Sequence, residues 1–525
     1  MATVSVHKTP TGRFSELFLL LISTALGSGA YVATLLGKGV SMPSSIHLSV
    51  GIIAVVVLTV HLIVRYFVPY ADPVLLPTAA ALNGIGLAMI FRLDLSYAAL
   101  DRNTYGTRQL VYTALGIVLM IATIVLIKDH RKLRKYTYTM MVGAIALQLL
   151  PMLPFIGQER NGARIWVNLG IATFQPAEVA KICLAIFFAG YLVAKRDNLA
   201  LGGKKILRIR LPRIRDLGPL LMVWGIALAV LILQHDLGTS LLLFGLFVAM
   251  LYVATNQVSW LILGALMFIP AAIVAATIFP HVGARFDVWL HPFDNEIYNR
   301  EFGGSWQLVT GLFGMAAGGL SGTGWGNGHP QLTAFANSDF IFASLAEELG
   351  LTGTIGILLL YLIFVERGMR AATGVRDGFG KLLAAGLSFI VALQVFVIVG
   401  GITRVIPLTG LTLPFMAAGG SSLIVNWMIL GILMRISDSA RRPATHIKPV
   451  STAELAKIID STPDSSSVNA RLVDGEAYDS TDSTPRNAAI QSPPAQGMHS
   501  HVYVPHNDTA DDNQSHGLPR GQVSR

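Results

Sequence analysis

Between residues 279 and 339 the chain carries Arg285, Asp287, His291, Asp294, Glu296, Arg300, Glu301 and Asp339 in a polar, Gly-rich, Trp-containing stretch flanked by apolar runs. A positioned carboxylate can take a proton from a hydroxyl. An arginine can grip phosphate in fork geometry. Connections longer than ~15 residues are usually functional or disordered. Phe, Trp and Leu recur throughout this one, which argues against disorder. The segment reads as a working surface.

Further candidates lie outside it. Glu178 and Lys181 are three apart after Pro176, so they share a helix face. Charges inside a span face a bundle interior or a wet cavity. The pair is either an ion pair locking neighbouring helices or the wall of a cavity meeting a polar substrate. Arg160 and Arg164 flank Asn161 and Gly162, and such arginines either snorkel to headgroups or hold phosphate. His235 lies in a tight turn, and a lone histidine is more often structural, so it receives no role. Gly311 to Gly328 is glycine-dense and permits close backbone packing or a re-entrant hairpin. It holds no phosphate-loop pattern. Asp339 suits a helix N-terminus, whereas Glu347 and Glu348 lie two turns deeper, where that explanation fades. Pro407, Pro414 and Gly419-Gly420-Ser421-Ser422 mark a broken, closely packed final helix.

These residues need elements to hold them. Of 525 residues, 53% are hydrophobic and 13% charged. Soluble proteins average ~25% charged. With mean hydropathy +0.58 the chain belongs in a bilayer. Its net charge of +9 then reports topology and anionic headgroups, not nucleic acid. A crossing helix needs ~20 apolar residues. Twelve runs satisfy this: 16–37, 47–69, 74–92, 110–127, 138–156, 176–194, 217–234, 237–255, 260–279, 340–365, 381–402 and 411–434. The expected fold class is an all-α polytopic integral membrane protein. Basic residues crowd the loops 128–135, 195–215 and 367–381, which puts them and both termini in the cytoplasm and 280–339 outside. Trp166, Trp289, Trp306 and Trp325 then fall in outer loops, suited to the headgroup layer. Cys183 is the single cysteine, so neither an intramolecular disulfide nor a cysteine metal site is expected. No cleavable signal peptide is evident, since the first apolar run is long enough to span. Past Arg435 the composition is that of a disordered cytoplasmic tail. The expected division is 1–109 with three helices, 110–436 as the core, and 437–525 as the tail.

Four blocks in this order resemble the SEDS family of shape, elongation, division and sporulation proteins, the RodA/FtsW group. Phe174-Gln175-Pro176-Ala177-Glu178 through Lys181, after Asn161–Trp166, resembles "fQPSE..K", with Ala177 replacing Ser. Gln234 to Gly238 resembles "QpDlG", with His235 replacing Pro. Ser338-Asp339-Phe340-Ile341-Phe342-Ala343 through Glu347-Glu348-Leu349-Gly350 resembles "tDFIFa…gEElG". Pro407 to Phe415 and Gly419 to Ser422 resemble "PvtGipLPFiSyGGSS". The resemblance implies a ten-helix core. Two extra N-terminal helices make this chain similar to actinobacterial, elongation-type members.

It also implies a peptidoglycan glycosyltransferase that polymerises lipid II at the outer face of the bacterial cytoplasmic membrane. The partner implied is a class B penicillin-binding protein. The family's essential acid follows a "DP..D" or "NP..D" pattern, which points to Asp294 in His291-Pro292-Phe293-Asp294. The spacing is one residue short, and the usual "P.G.GYQ" is replaced by Glu296 through Gln307, so Glu296 and Asp287 stand in reserve. Arg164, Lys181 and Arg285 are candidates to neutralise the pyrophosphate. Glu178, Asp339, Glu347 and Glu348 complete the expected substrate contacts. No metal ligands are assigned and no cofactor is required, although a divalent cation, magnesium or manganese, can share the neutralisation. Two rivals are a lipid flippase, which broken helices and intramembrane charges also fit, and a non-catalytic scaffold.

Overall fold

The computed structural model describes residues 13–443, except residues 45, 161–162, 169, 171–172, 202, 207–208, 302 and most of 213–235. The first half contains α1 (Arg13–Gly37), α2 (Ile46–Phe67), α3 (Leu75–Ala99), α4 (Gly106–Leu126), α5 (Thr137–Leu149) and α6 (Pro176–Leu201). The second contains α7 (Leu237–Thr255), α8 (Ser259–Ile278), α9 (Pro280–Leu290), α10 (Asn295–Tyr298), α11 (Trp306–Gly318), α12 (Ile341–Gly374), α13 (Gly378–Ile402) and α14 (Gly420–Arg441). Among the described residues, ten helices are long and apolar enough to cross a membrane. The chain is a multi-pass membrane protein.

Ten of the twelve expected spans correspond to these helices. The run 138–156 instead gives α5, which is only 13 residues long, and a 3-10 turn (Leu150–Met152) that contains Pro151. Most of the run 217–234, His235, Asn161, Gly162 and the 437–525 tail beyond residue 443 lie outside the described residues. The last span begins at Gly420, not 411, because Pro414 and the turns around it keep the preceding chain out of a helix. Small antiparallel sheets supplement the helices. Strands β1 (Gly157–Arg160), β2 (Ala163–Asn168) and β3 (Thr173–Phe174) form one, and β4 (Gly203–Ile206) with β5 (Ile209–Pro212) forms the other.

Local chemistry sets the helix ends. Asp236 caps α7 by accepting the Thr239 N–H at 3.0 Å, and Asp377 caps α13 by accepting the Gly380 N–H at 2.7 Å. Pro280 stops α8, since the residue before a proline is pushed to extended backbone, and Phe279 adopts φ −104°, ψ 110°. Proline then suits the first turn of α9. Helix α12 is interrupted at Gly350, whose φ of 67° suits glycine. A Cβ there would lie 2.3 Å from the Gly322 nitrogen, so the break admits the 320–322 turn.

The contacts sort the loops into two ends. At one end His130 Nε2 lies 2.8 Å from Asp377 Oδ2, Tyr70 N–H donates to Asp438 at 2.8 Å, and Arg367 pairs with Asp72 at 3.7 Å. This joins the basic loops 128–135 and 367–381, as the charge pattern expects. At the other end Gln175 N–H donates to Ser421 Oγ at 2.9 Å, and α9 meets the 403–419 loop. The buried core between them includes Phe187, Phe188, Phe340, Phe364 and Phe415. Helix α8 leaves nearly all its surface exposed and therefore faces hydrocarbon.

Candidate active site

The end that holds α9 also gathers the N-termini of α6, α7, α12 and α14. Glu178 Oε2 and Lys181 Nζ form a buried ion pair of 2.6 Å on α6. Lys181 also donates to Gln394 Oε1 on α13 at 2.9 Å, and Gln394 donates to Thr412 O at 2.8 Å. The pair therefore locks α6 to α13 and to the 403–419 loop. This is the ion-pair reading of the two residues; the Glu178 carboxylate also stands within electrostatic reach of Asp236.

Arg285 extends from α9 to the same place. Its Nη1 donates to Thr409 O at 2.8 Å and to Leu408 O at 3.2 Å. Asp236 and Asp339 both act on its charge. Burial pushes the Asp236 carboxyl above its ordinary range, although Thr239 and Arg285 oppose it. Burial also pushes Asp339 up to about 7, again against Arg285. Asp339 is half-buried. It lies before α12, which starts at Ile341, so helix capping is not its role; its charge partner is Arg285. Three carboxylates thus surround two cations where four helices begin.

Asp294 lies further out. It stands in the turn between α9 and α10, beyond the C-terminal end of α9. Its backbone is held from several sides. Asp294 O accepts from Ile297 N–H at 3.0 Å and Tyr298 N–H at 2.7 Å, and Ser305 Oγ donates to Pro292 O at 2.5 Å. Arg404 donates to Trp289 O at 2.8 Å and Leu290 O at 3.0 Å, fixing the end of α9. The Asp294 side chain is exposed and its carboxylate has no hydrogen bond or ion pair among the described residues. Asp287, by contrast, is paired with Arg300 at 3.3 Å. Glu296 is exposed in the first turn of the four-residue α10.

The remaining expected residues separate. Arg164 is half-buried on β2; its N–H donates to Gln234 O at 3.2 Å, while its guanidinium has no partner among the described residues. Glu347 and Glu348 do not join the Arg285 cluster. Glu347 Oε1 accepts the His329 N–H at 2.5 Å, and Glu348 Oε2 accepts the Gly326 N–H at 2.9 Å. Arg92 of α3, wholly buried, donates to Glu348 Oε1 and to Gly328 O. These two acids hold the glycine-rich turns in place. Arg92 escaped the sequence reading, though a charge at the edge of an apolar run was the available signal; Asp236 stood in the Gln234–Gly238 block without a role assigned to it. Among the described residues no group of three His, Cys, Asp or Glu is arranged to hold a metal ion.

The model of the FtsW, RodA and SpoVE cell cycle proteins matches residues 73–442. The chain belongs to this family. Helices α1 and α2 precede the matched region. The peptidoglycan glycosyltransferase RodA of Mycobacterium tuberculosis is 44% identical over 438 residues, covering 83% of this chain and 92% of that protein. The RodA of Mycobacterium leprae is 45% identical over 399 residues, covering 75% and 84%. A chain in the solved structure "Structural coordination of polymerization and crosslinking by a peptidoglycan synthase complex" aligns with TM-score 0.56 and 26% identity, over 71% of this chain and 99% of that one.

Proposed function

We propose that this FtsW/RodA/SpoVE family member is a peptidoglycan glycosyltransferase that polymerises lipid II, the undecaprenyl-pyrophosphate-linked disaccharide peptide. The identity to mycobacterial RodA over most of both chains carries the assignment. Residues 279–339 face outward from the bacterial cytoplasmic membrane and both termini lie in the cytoplasm, in keeping with the basic loops grouped at the opposite end.

Asp294 is the general base. A free carboxylate on a clamped turn suits that task, since it is positioned yet not neutralised by a cation. It takes the proton from the 4-hydroxyl of the acceptor GlcNAc. The oxygen attacks the donor's anomeric carbon, the bond to the pyrophosphate breaks with its electron pair, and the centre inverts. The general-base step supplies ~10²–10⁴-fold. Undecaprenyl pyrophosphate leaves with its charge, which Arg164, Arg285 and Lys181 neutralise, with a divalent cation, magnesium or manganese, able to assist. Asp236 and Asp339 hold Arg285 in the recess. Asp287, tied to Arg300, is the weaker choice of base. The partner is a class B penicillin-binding protein, in line with the polymerisation and crosslinking complex whose chain shares this fold.

Purified full-length protein is incubated with lipid II and a class B penicillin-binding protein, and polymer is scored by gel. Glycan ladders are expected. Lipid II movement across vesicles without ladders would instead assign a flippase.

A further inference from the structure

Helix α9 and the 404–409 segment hold each other by an exchange of arginines. Arg285, midway along α9, donates to Leu408 O and Thr409 O. Arg404 returns the contact: its Nε donates to Trp289 O at 2.8 Å and its Nη2 to Leu290 O at 3.0 Å. The Trp289 indole in turn donates to Arg404 O at 3.1 Å. We infer that Arg404 is a positioning residue for the transfer reaction, setting the place of the Asp294 carboxylate through the end of α9. The inference rests on Asp294 as the base.

The end of α9 needs such a partner. The last carbonyls of a helix have no N–H partner within it. Helix α9 ends at Leu290, so Trp289 O and Leu290 O belong to that set. The Arg404 guanidinium takes both in its planar fork, and its charge suits a helix C-terminus, where the aligned peptide dipoles leave partial negative charge. Arg285 and Trp289 are four apart and share a helix face. Attachment at two points one turn apart stops α9 from pivoting about Arg285 alone.

The backbone of Arg404 gives a second argument. Its φ of 62° lies in the left-handed region, which glycine adopts freely and a residue with a side chain rarely does. Gly410, in the same loop, has φ 74° and is a glycine. Strain of this kind persists where the surroundings fix it, and it gathers at functional sites. Stability does not account for an arginine here, because its side chain and both bonds are exposed and the two carbonyls could equally bond to water. What the fork supplies is orientation.

That orientation reaches the carboxylate through a short path. His291 N–H donates to Asp287 O at 2.8 Å, and Asp294 N–H turns back to His291 O at 3.3 Å. The residue bearing the carboxylate therefore stands one tight turn beyond the carbonyls that Arg404 holds. Ser305 secures the far side of the same turn, through its N–H to Ile297 O at 3.1 Å and its hydroxyl to Pro292 O. Arg404 supplies the α9 side. A general base works within hydrogen-bond reach of its proton, ~2.6–3.2 Å. A misplacement of ~1 Å can cost ~10²-fold in rate.

The test uses full-length protein with a class B penicillin-binding protein, initial polymerisation rates over a lipid II series, and thermal melts. Arg404→Gly suits the left-handed backbone and removes only the side chain. Its kcat should fall about ten- to hundredfold, with KM within about twofold of wild type and the melting temperature close to it. Arg404→Lys keeps the charge without the fork and should recover part of the loss. In the Asp294→Asn background Arg404→Gly should cause no further loss, because it acts through that carboxylate. A kcat for Arg404→Gly within about twofold of wild type, beside an inactive Asp294→Asn, overturns the inference and leaves the base assignment standing. An equal fold-loss in both backgrounds overturns it too, as does a loss confined to KM. Wild-type polymerisation by Asp294→Asn overturns the base assignment and the inference with it. If Arg404→Gly does not fold, Arg404→Lys decides, and a wild-type kcat in that variant overturns the inference.

Discussion

Replacing Arg92 by Met should destabilise the protein by about 3–5 kcal/mol, the range for removing one partner of a buried ion pair. The side chain is wholly buried, and its guanidinium donates to Glu348 Oε1, Gly328 O, Ser96 Oγ at 2.9 Å and Gln331 Oε1 at 2.9 Å. Losing it strands the Glu348 carboxylate in apolar surroundings with the Gly326 N–H as its main remaining donor. The Gly328 carbonyl also loses its donor, which accounts for about 1–3 kcal/mol of the total. Removing both charges, in Arg92→Met with Glu348→Leu, eliminates the stranded ion. The double variant should therefore recover about 2 kcal/mol relative to the sum of the single variants. Unfolding titrations in mixed micelles measure all three. Additivity within ~0.5 kcal/mol would refute the pairing, because uncoupled sites add within that margin. Arg92→Met should also lower polymerisation, since the 318–328 turns it braces lead into the chain before Asp339.

Three further outcomes follow from the charged groups. Burial raises Asp339 from 3.8 to about 7, so its ionisation works against the fold; stability should fall as pH rises from about 4 to about 7, and Asp339→Asn should flatten that slope in thermal melts across this window. Asp377 has the opposite sign: burial alone would raise its pKa, but His130, Gly380 and Arg131 together depress it. Its contribution is present above the ordinary carboxylate range and is lost as pH falls through the depressed value, so Asp377→Asn should matter near neutral pH and cease to matter in strong acid. Arg285→Lys, which cannot reproduce the guanidinium contacts to Leu408 O and Thr409 O, should reduce the polymerisation rate about ten- to hundredfold, as loss of a ~1.5–3 kcal/mol charged hydrogen bond implies.

Spans were legible in the sequence because an apolar run is a one-dimensional property. The pairing of Glu178 with Lys181 was legible for a similar reason, since three residues on a helix fix a shared face. The helices of the 279–339 segment were not. The glycine-dense run from Gly311 left close packing and a re-entrant hairpin open; in α11 Leu308, Val309, Gly311 and Gly318 are buried, and a Cβ at Gly311 would strike Phe340, so tertiary contact overrides the weak helix propensity of glycine. The Arg92–Glu348 pair joins residues 256 apart, and Arg285 meets Thr409 across 124. No local pattern encodes either contact. Glu347 and Glu348 were expected to touch substrate because no capping role explained them. The structure supplies the missing explanation in the backbone N–H groups of Gly326 and His329.

The central claim is that one unpaired carboxylate on the α9–α10 turn activates the acceptor hydroxyl. Its direct measurement is the initial rate of lipid II polymerisation by Asp294→Asn, with Asp287→Asn and Glu296→Gln in parallel and folding monitored for each. Asp294→Asn should fall ~10²–10⁴-fold while the other two stay within about threefold of wild type. Near-wild-type polymerisation by Asp294→Asn, with the loss appearing in Asp287→Asn or Glu296→Gln instead, would contradict the account.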